Sequence, residues 1–255
     1  MIRTARRMKI EILSPSYRRA DIATTQDYLP GCTYVVARSE KKAYERAGRR
    51  VIAIPNDLQG NVCRVRNYIL DHFNPVLILD DDIRRFGRWS AQENVKLDTD
   101  DALQFIEHAF ILAKQMKARM WGMNLLPDKG AYREYTPFAF RAVVLGPVQG
   151  FIDMDLRYDE SLPLKEDYDL SLQVLNKYRR TLRFNMYHYV CGQHNNVGGC
   201  AAYRTMGREK KQFQLLQEKW GSEIVRIDTQ GGQVNQKKHT NWDINPVVRV
   251  PIAGV

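Results

Sequence analysis

Residues 74–86 read NPVLILDDDIRRF. The consecutive aliphatic residues Val76 to Leu79 read as a buried strand. The strand then ends in three aspartates. Like charges at such a tip repel one another and call for something positive: Arg84 and Arg85 close by, or a metal ion. Side chains alternate along an extended chain, which places Asp80 and Asp82 on one side and Asp81 on the other. Asp81 is therefore the member expected to find protein partners.

Outward from this strand, the first third of the chain alternates. MKIEIL (8–13), TYVVA (33–37), RVIAI (50–54) and PVLIL (75–79) read as strands, with helical segments such as EKKAYERAG and NVCRVRNYILDHF between them. In the latter, Val62, Val65, Ile69 and Phe73 recur at helical spacing. This alternation predicts right-handed crossovers and ligands bound beyond the carboxyl ends of the strands. Further on, Thr99 reads as an N-cap for a helix to about Lys117. RMWGMNLL (119–126) and FAFRAVVLG (138–146) read as strands, as does MYHYV. KEDYDLSLQVLNKYRR (165–180) and EKKQFQLLQEKWG (209–221) read as helices, the first with acid at its start and base at its end, the second stopped by Gly221.

The length of 255 residues suits one α/β domain. Within it, residues about 8–85 and about 86–228 are expected to form two halves, with 229–255 as a loosely packed tail. The 39 basic residues against 29 acidic ones give a net charge of +10, which favours an anionic partner such as DNA or RNA, or a phosphate. The four cysteines form no CxxC pair. No stretch approaches the roughly 20 apolar residues of a membrane span, and a reducing cytoplasm is the expected setting. No obligate protein partner is implied.

Several candidate residues gather at predicted strand and helix ends. SPSYRRAD (14–21) follows the first strand and offers Ser14, Ser16, Arg18 and Arg19 to a base, ribose or phosphate. Arg64 and Asn67 lie one turn apart on the helix that feeds the aspartate strand. Glu166 and Asp167 open a later helix, and His194 sits in the Gly-rich CGQHNNVGGC (191–200).

A strand ending in DDD, an R-x-x-N helix before it and an E-D helix start some 80 residues later resemble the GT-A glycosyltransferases. PVLILDDDI, QGF and KEDYDLSLQ are most similar to the TET-associated glycosyltransferases, largely phage-encoded enzymes of DNA-base modification. The resemblance implies a Rossmann-like, mixed and mostly parallel sheet flanked by helices. It implies a nucleotide-sugar donor such as a UDP-sugar, a divalent metal (Mn²⁺ or Mg²⁺) and a hydroxymethylated pyrimidine in DNA as acceptor, with inversion at the anomeric carbon. On that pattern Asp80 contacts the nucleotide with Asp81 beside it, Asp82 and His194 hold the metal, Asp167 is the base, and Glu166 contacts acceptor or sugar.

Other readings compete. The acceptor can be a protein or glycan hydroxyl, the chain can be a nucleotidyltransferase, or the basic clusters can mark a catalytically silent nucleic-acid-binding module. His188, Cys191, His194 and Cys200 have a spacing that allows zinc. Trp89, Trp121, Tyr132, Tyr135 and Phe151 are candidates for stacking on a base or sugar, Trp121 being expected in the core instead. Gly150 offers either close approach of backbone to a sugar or a simple turn.

Overall fold

The computed structural model describes residues 8–90, 93–125, 132, 134–192, 199–227 and 246–250. Its strands are β1 (Glu11–Pro15), β2 (Thr33–Ala37), β3 (Val51–Ile54), β4 (Val76–Leu79), β5 (Ile83–Trp89), β6 (Asn94–Lys96), β7 (Met120–Asn124), β8 (Phe138–Ala139), β9 (Val148–Phe151), β10 (Leu182–Cys191), β11 (Val225–Ile227) and β12 (Pro246–Val248). Its α-helices are α1 (Thr25–Tyr28), α2 (Lys41–Arg46), α3 (Val62–His72), α4 (Thr99–Gln115), α5 (Glu166–Tyr178) and α6 (Met206–Trp220).

Among these residues one sheet runs in the order β3-β2-β1-β4-β9-β7-β10-β5-β6, with β8 paired to β10. The β3-β2-β1-β4 half is parallel throughout, as the alternating pattern requires. The other half is mixed: β9 runs antiparallel to both β4 and β7, and β5 antiparallel to β10. Helices cover both faces. Leu77 and Leu79 of β4 join a core with α4, while Val76 and Ile78 join another with α3 and α5. The uninterrupted aliphatic run thus follows from burial on both sides.

Three local expectations are corrected. FAFRAVVLG forms a strand only at Phe138–Ala139. Beyond it, Val144 N–H donates to the Ser171 hydroxyl and its carbonyl accepts from the same hydroxyl, so α5 supplies the bonds that a neighbouring strand would have given. Helix α4 is capped by Asp98, whose side chain accepts from Asp101 N–H, rather than by Thr99. Gly150 is neither a turn nor a sugar contact: it lies within β9, and a Cβ there would come 2.0 Å from Trp121 Nε1. The fully buried indole needs that space. Most of the expected tail lies outside the described residues; β12 within it pairs with β11.

Candidate active site

Strands β1 and β4 run side by side and end together, and the first turn of α5 comes up against them. Between them lies a cavity of about 670 Å³ lined by Ser16, Tyr17, Arg19, Arg66, Asp80, Asp81, Asp82, Glu166 and Asp167. The N-terminal end of α3 and residues 199–204 complete the wall.

The three aspartates have three different environments. Asp81 turns toward the β1 tip, where Arg19 Nη1 donates to its Oδ1 at 2.7 Å and Ser16 Oγ donates to Oδ2. Ser16 spends its single proton on Asp81, so the Tyr44 hydroxyl, 2.7 Å away, donates to Ser16 Oγ. Backbone N–H groups of Thr24 and Thr25 donate to the Asp81 carbonyl. Asp80 lies on the other side, where Arg66 Nη2 donates to its Oδ1 at 3.0 Å. The positive groups answering the triplet are therefore Arg19 and Arg66, not its sequence neighbours Arg84 and Arg85.

Asp82 has no ion pair among the described residues. Burial, then the charges of Asp80 and Asp81, push its carboxyl up to about 7, with Arg19 pulling the other way. The Cys191 thiol is hydrogen-bonded to it, and Gly192 N–H donates to its carbonyl at 2.8 Å.

Arg66 also reaches the second acidic motif. Its Nη1 donates to Glu166 Oε1 at 2.9 Å, so one buried guanidinium joins the aspartate strand to the start of α5. Its carbon Cζ stands 5.5 Å from the centre of the Tyr158 ring. Burial pushes the Glu166 carboxyl up to about 7; Arg66 opposes that rise and Asp167 adds to it. Asp167 is held by backbone donors, Gly146 N–H on Oδ2 and Tyr168 N–H on Oδ1, both at 2.8 Å. Gly146 has a φ of +71°, and a Cβ there would meet the Tyr189 hydroxyl at 2.7 Å, so this donor requires glycine.

Of the candidates named from sequence, Ser16, Arg19, Asp80, Asp81, Asp82, Glu166 and Asp167 come together on the cavity wall. Four others take different places. Ser14 is buried within β1, and Arg18 is exposed with its backbone N–H on Glu40. Arg64 points outward to Glu160, and Asn67 clamps the backbone of Tyr158 through both ends of its amide. His194 lies outside the described residues. Sequence reading passed over Arg66, although Val62, Arg66, Ile69 and Phe73 form one stripe at i, i+4, i+7 and i+11. An arginine on the apolar stripe of the helix next to the aspartate strand was the available signal.

Trp121 and Phe151 are core residues, Tyr135 is exposed, and the aromatic rings that line the cavity belong to Tyr17, Tyr168, Tyr189 and Tyr203. The zinc reading finds no support among the described residues. His188 shares a 2.8 Å hydrogen bond with Asn94, Cys200 is hydrogen-bonded by Tyr203, and no three His, Cys, Asp or Glu side chains are grouped to hold a metal.

The sequence matches the family described as TET-Associated Glycosyltransferase over residues 10–199, which spans both acidic motifs. The chain belongs to that family. Comparison with curated protein sequences gives no match.

Among solved structures, this TET-associated glycosyltransferase is similar to S. aureus TarS 1–349, at 13% identity and a TM-score of 0.46, covering 71% of this chain and 60% of that one. The same TarS fragment in complex with UDP gives 14% identity, a TM-score of 0.43 and the same coverage. A CMP:2-keto-3-deoxy-manno-octonic acid synthetase complexed with CTP gives 11% identity and 0.40, over 83% of this chain and all of that one. The chain thus spans three fifths of the TarS fragment's length. No helix among the described residues is long and apolar enough to cross a membrane.

Proposed function

We propose that the chain transfers a sugar from a nucleotide-sugar donor, a UDP-sugar, to the hydroxymethyl group of a modified pyrimidine in DNA, in the cytoplasm where such donors are made. The observation that carries this reading is the single cavity in which Asp80–Asp82 and Glu166–Asp167 face one space and share Arg66. The family match supplies the reaction class. The net charge of +10 supports a polyanionic acceptor.

In this reading the tip of β1 holds the nucleoside, with Tyr17 offering a ring and Arg19 a charge. Asp80 keeps one oxygen on Arg66 and turns the other toward the donor. A divalent cation fits the donor set at Asp82, a partly desolvated carboxylate beside two like charges and without an ion pair of its own among the described residues. Bound there, Mg²⁺ or Mn²⁺ would neutralise charge developing on the departing diphosphate. His194, outside the described residues, remains the proposed histidine ligand that completes the metal site.

Asp167 then takes the proton of the attacking hydroxyl. Its two backbone donors fix the direction in which it faces. Attack from the side opposite the diphosphate gives inversion. Glu166, held by Arg66 next to the base, contacts the acceptor or the sugar. A base within a duplex is out of reach of such a cavity, so the target must be flipped or single-stranded.

The test is to incubate the protein with a panel of nucleotide sugars and hydroxymethylpyrimidine DNA, then weigh the digested nucleosides. A sugar-sized gain on one base is the expected result. Glycosylation of a glycan or peptide hydroxyl, with DNA unchanged under every donor, overturns the acceptor assignment.

A further inference from the structure

A third group of charges stands at the cavity wall, where the start of α6 meets the residue before α5. Lys165, immediately before α5, is almost wholly buried, and its Nζ donates to Glu209 Oε2 at 2.6 Å. Glu209, in the first turn of α6, is itself completely buried. Its other oxygen, Oε1, faces Arg204 Nε at 2.9 Å. Lys165 and Arg204 both line the cavity, whereas Glu209 stands behind them. The matched family stretch ends at residue 199, so Arg204 and Glu209 lie beyond it.

One buried carboxylate therefore holds two cations that border the cavity. Burying an ammonium and a carboxylate costs several kcal/mol apiece unless the geometry compensates, so a surface-solubility role does not account for the arrangement. Three other acids of the cavity wall pair elsewhere: Asp81 with Arg19, and Asp80 and Glu166 with a shared Arg66. Residues 199–204 also reach the donor side. Gly199 N–H donates to the Tyr17 carbonyl, and a Cβ on Gly199 would lie 3.0 Å from the Arg19 guanidinium. The segment thus carries Arg204 from the β1 tip across to the start of α5.

We infer that Arg204 and Lys165 form a phosphate-binding wall for the diphosphate of the donor, and that Glu209 is the positioning residue that holds both. This assignment rests on the nucleotide-sugar reading above and adds to it a cationic contact for the leaving group. The two cations stabilise the diphosphate as the glycosidic bond breaks and its electron pair passes to the departing oxygen. Arg204 presents a planar fork suited to phosphate oxygens, and Lys165 a point charge.

The experiment is calorimetry on the full chain with uridine, UMP, UDP and inorganic pyrophosphate, for wild type, Arg204→Ala, Arg204→Lys and Glu209→Gln. Wild type is expected to bind UDP more tightly than uridine. Arg204→Ala should weaken UDP and pyrophosphate by about tenfold or more, the effect of one charge-assisted hydrogen bond, and leave uridine unchanged. Arg204→Lys should restore part of the loss, and Glu209→Gln should reproduce it. Arg204 is partly exposed, so its variant reads out the wall even if Glu209→Gln does not fold. An unchanged UDP-to-uridine ratio in Arg204→Ala overturns the wall while leaving the donor reading intact. Loss of DNA affinity with UDP affinity unchanged also overturns it, assigning these cations to the acceptor backbone. Wild type that binds neither UDP nor pyrophosphate removes both readings together.

Discussion

Replacing Arg66 by methionine keeps an unbranched stem in the face of α3 and removes the charge that joins the two acidic motifs. The cost follows from Glu166, whose carboxyl stands at about 7 in the folded protein against an ordinary 4.5. An acid raised on folding binds more protons in the folded state than in the unfolded one. Wild-type stability from this group is therefore full below about 4.5 and falls toward 7, by up to about 1.4 kcal/mol per pH unit. Arg66 restrains that rise, so its removal extends the declining window above 7. At pH 6 Glu166 is mostly neutral in both folded proteins, and the substitution costs the hydrogen bonds alone, about 1–2 kcal/mol. Above 7 the wild type levels off while the variant keeps declining. At pH 9 the difference should reach about 3–5 kcal/mol, the cost of leaving a buried charge without its partner. The bond to Asp80 adds little, because that side chain is 41% exposed. Urea unfolding of both proteins at pH 6, 7, 8 and 9 measures the trend. A stability difference that is the same at pH 6 and pH 9 refutes the coupling.

The other predictions use the same geometry. Asp82→Asn removes a carboxyl raised to about 7, whose ionisation costs the fold stability as pH rises from its ordinary range toward 7. The variant should be more stable than wild type by about 2–4 kcal/mol at pH 8, yet lose any Mn²⁺-dependent gain in UDP affinity; thermal melts and calorimetry read the two effects, and a wild type indifferent to Mn²⁺ sinks the metal assignment. Asp167→Asn should spare donor binding and lower turnover by about 10²- to 10⁴-fold; full turnover in a single-turnover measurement would move the base elsewhere. Gly150→Ala forces a methyl group into the Trp121 indole and should cost about 3 kcal/mol or more, with a shift in Trp fluorescence; wild-type stability would show that the indole can move aside.

The sequence makes the parallel half of the sheet legible because β1 to β4 are separated by helices and carry unbroken apolar runs. The second half is harder to read. Ile83 to Trp89 contains three arginines, so its strand character comes from pairing with β10 rather than from its own composition. Strand β9 is short and holds a glycine that only the position of Trp121 explains. At the site, the structure gives Asp81 the protein partners expected of it, Ser16 and Arg19, although residues 80–82 lie past the end of β4 and 81–82 form a turn rather than an alternating strand. Arg64 and Arg66 look alike in sequence. Which of them is buried depends on the face of α3 that meets β4 and α5, and that is a property of packing. Arg204 and Glu209 belong to no motif, and nothing in KEDYDLSLQ marks Lys165 as their partner, since the relation arises only when α6 docks beside α5.

The bond from Arg66 to Glu166 spans 100 residues of chain. During synthesis β1 to β4 emerge first, with the guanidinium committed to a face that will be buried, Asp80 beside it, and its second carboxylate partner, Glu166, not yet made. The Asp80 N–H likewise waits for the Pro147 carbonyl. A nascent chain stopped before α5 therefore carries all three aspartates, with Ser16 and Arg19 for Asp81 and Arg66 for Asp80, but lacks Glu166 and the Gly192 N–H that meets Asp82. If the cavity takes a nucleotide sugar as proposed, its capture should switch on late, when the ribosome has released the segment that closes these long loops.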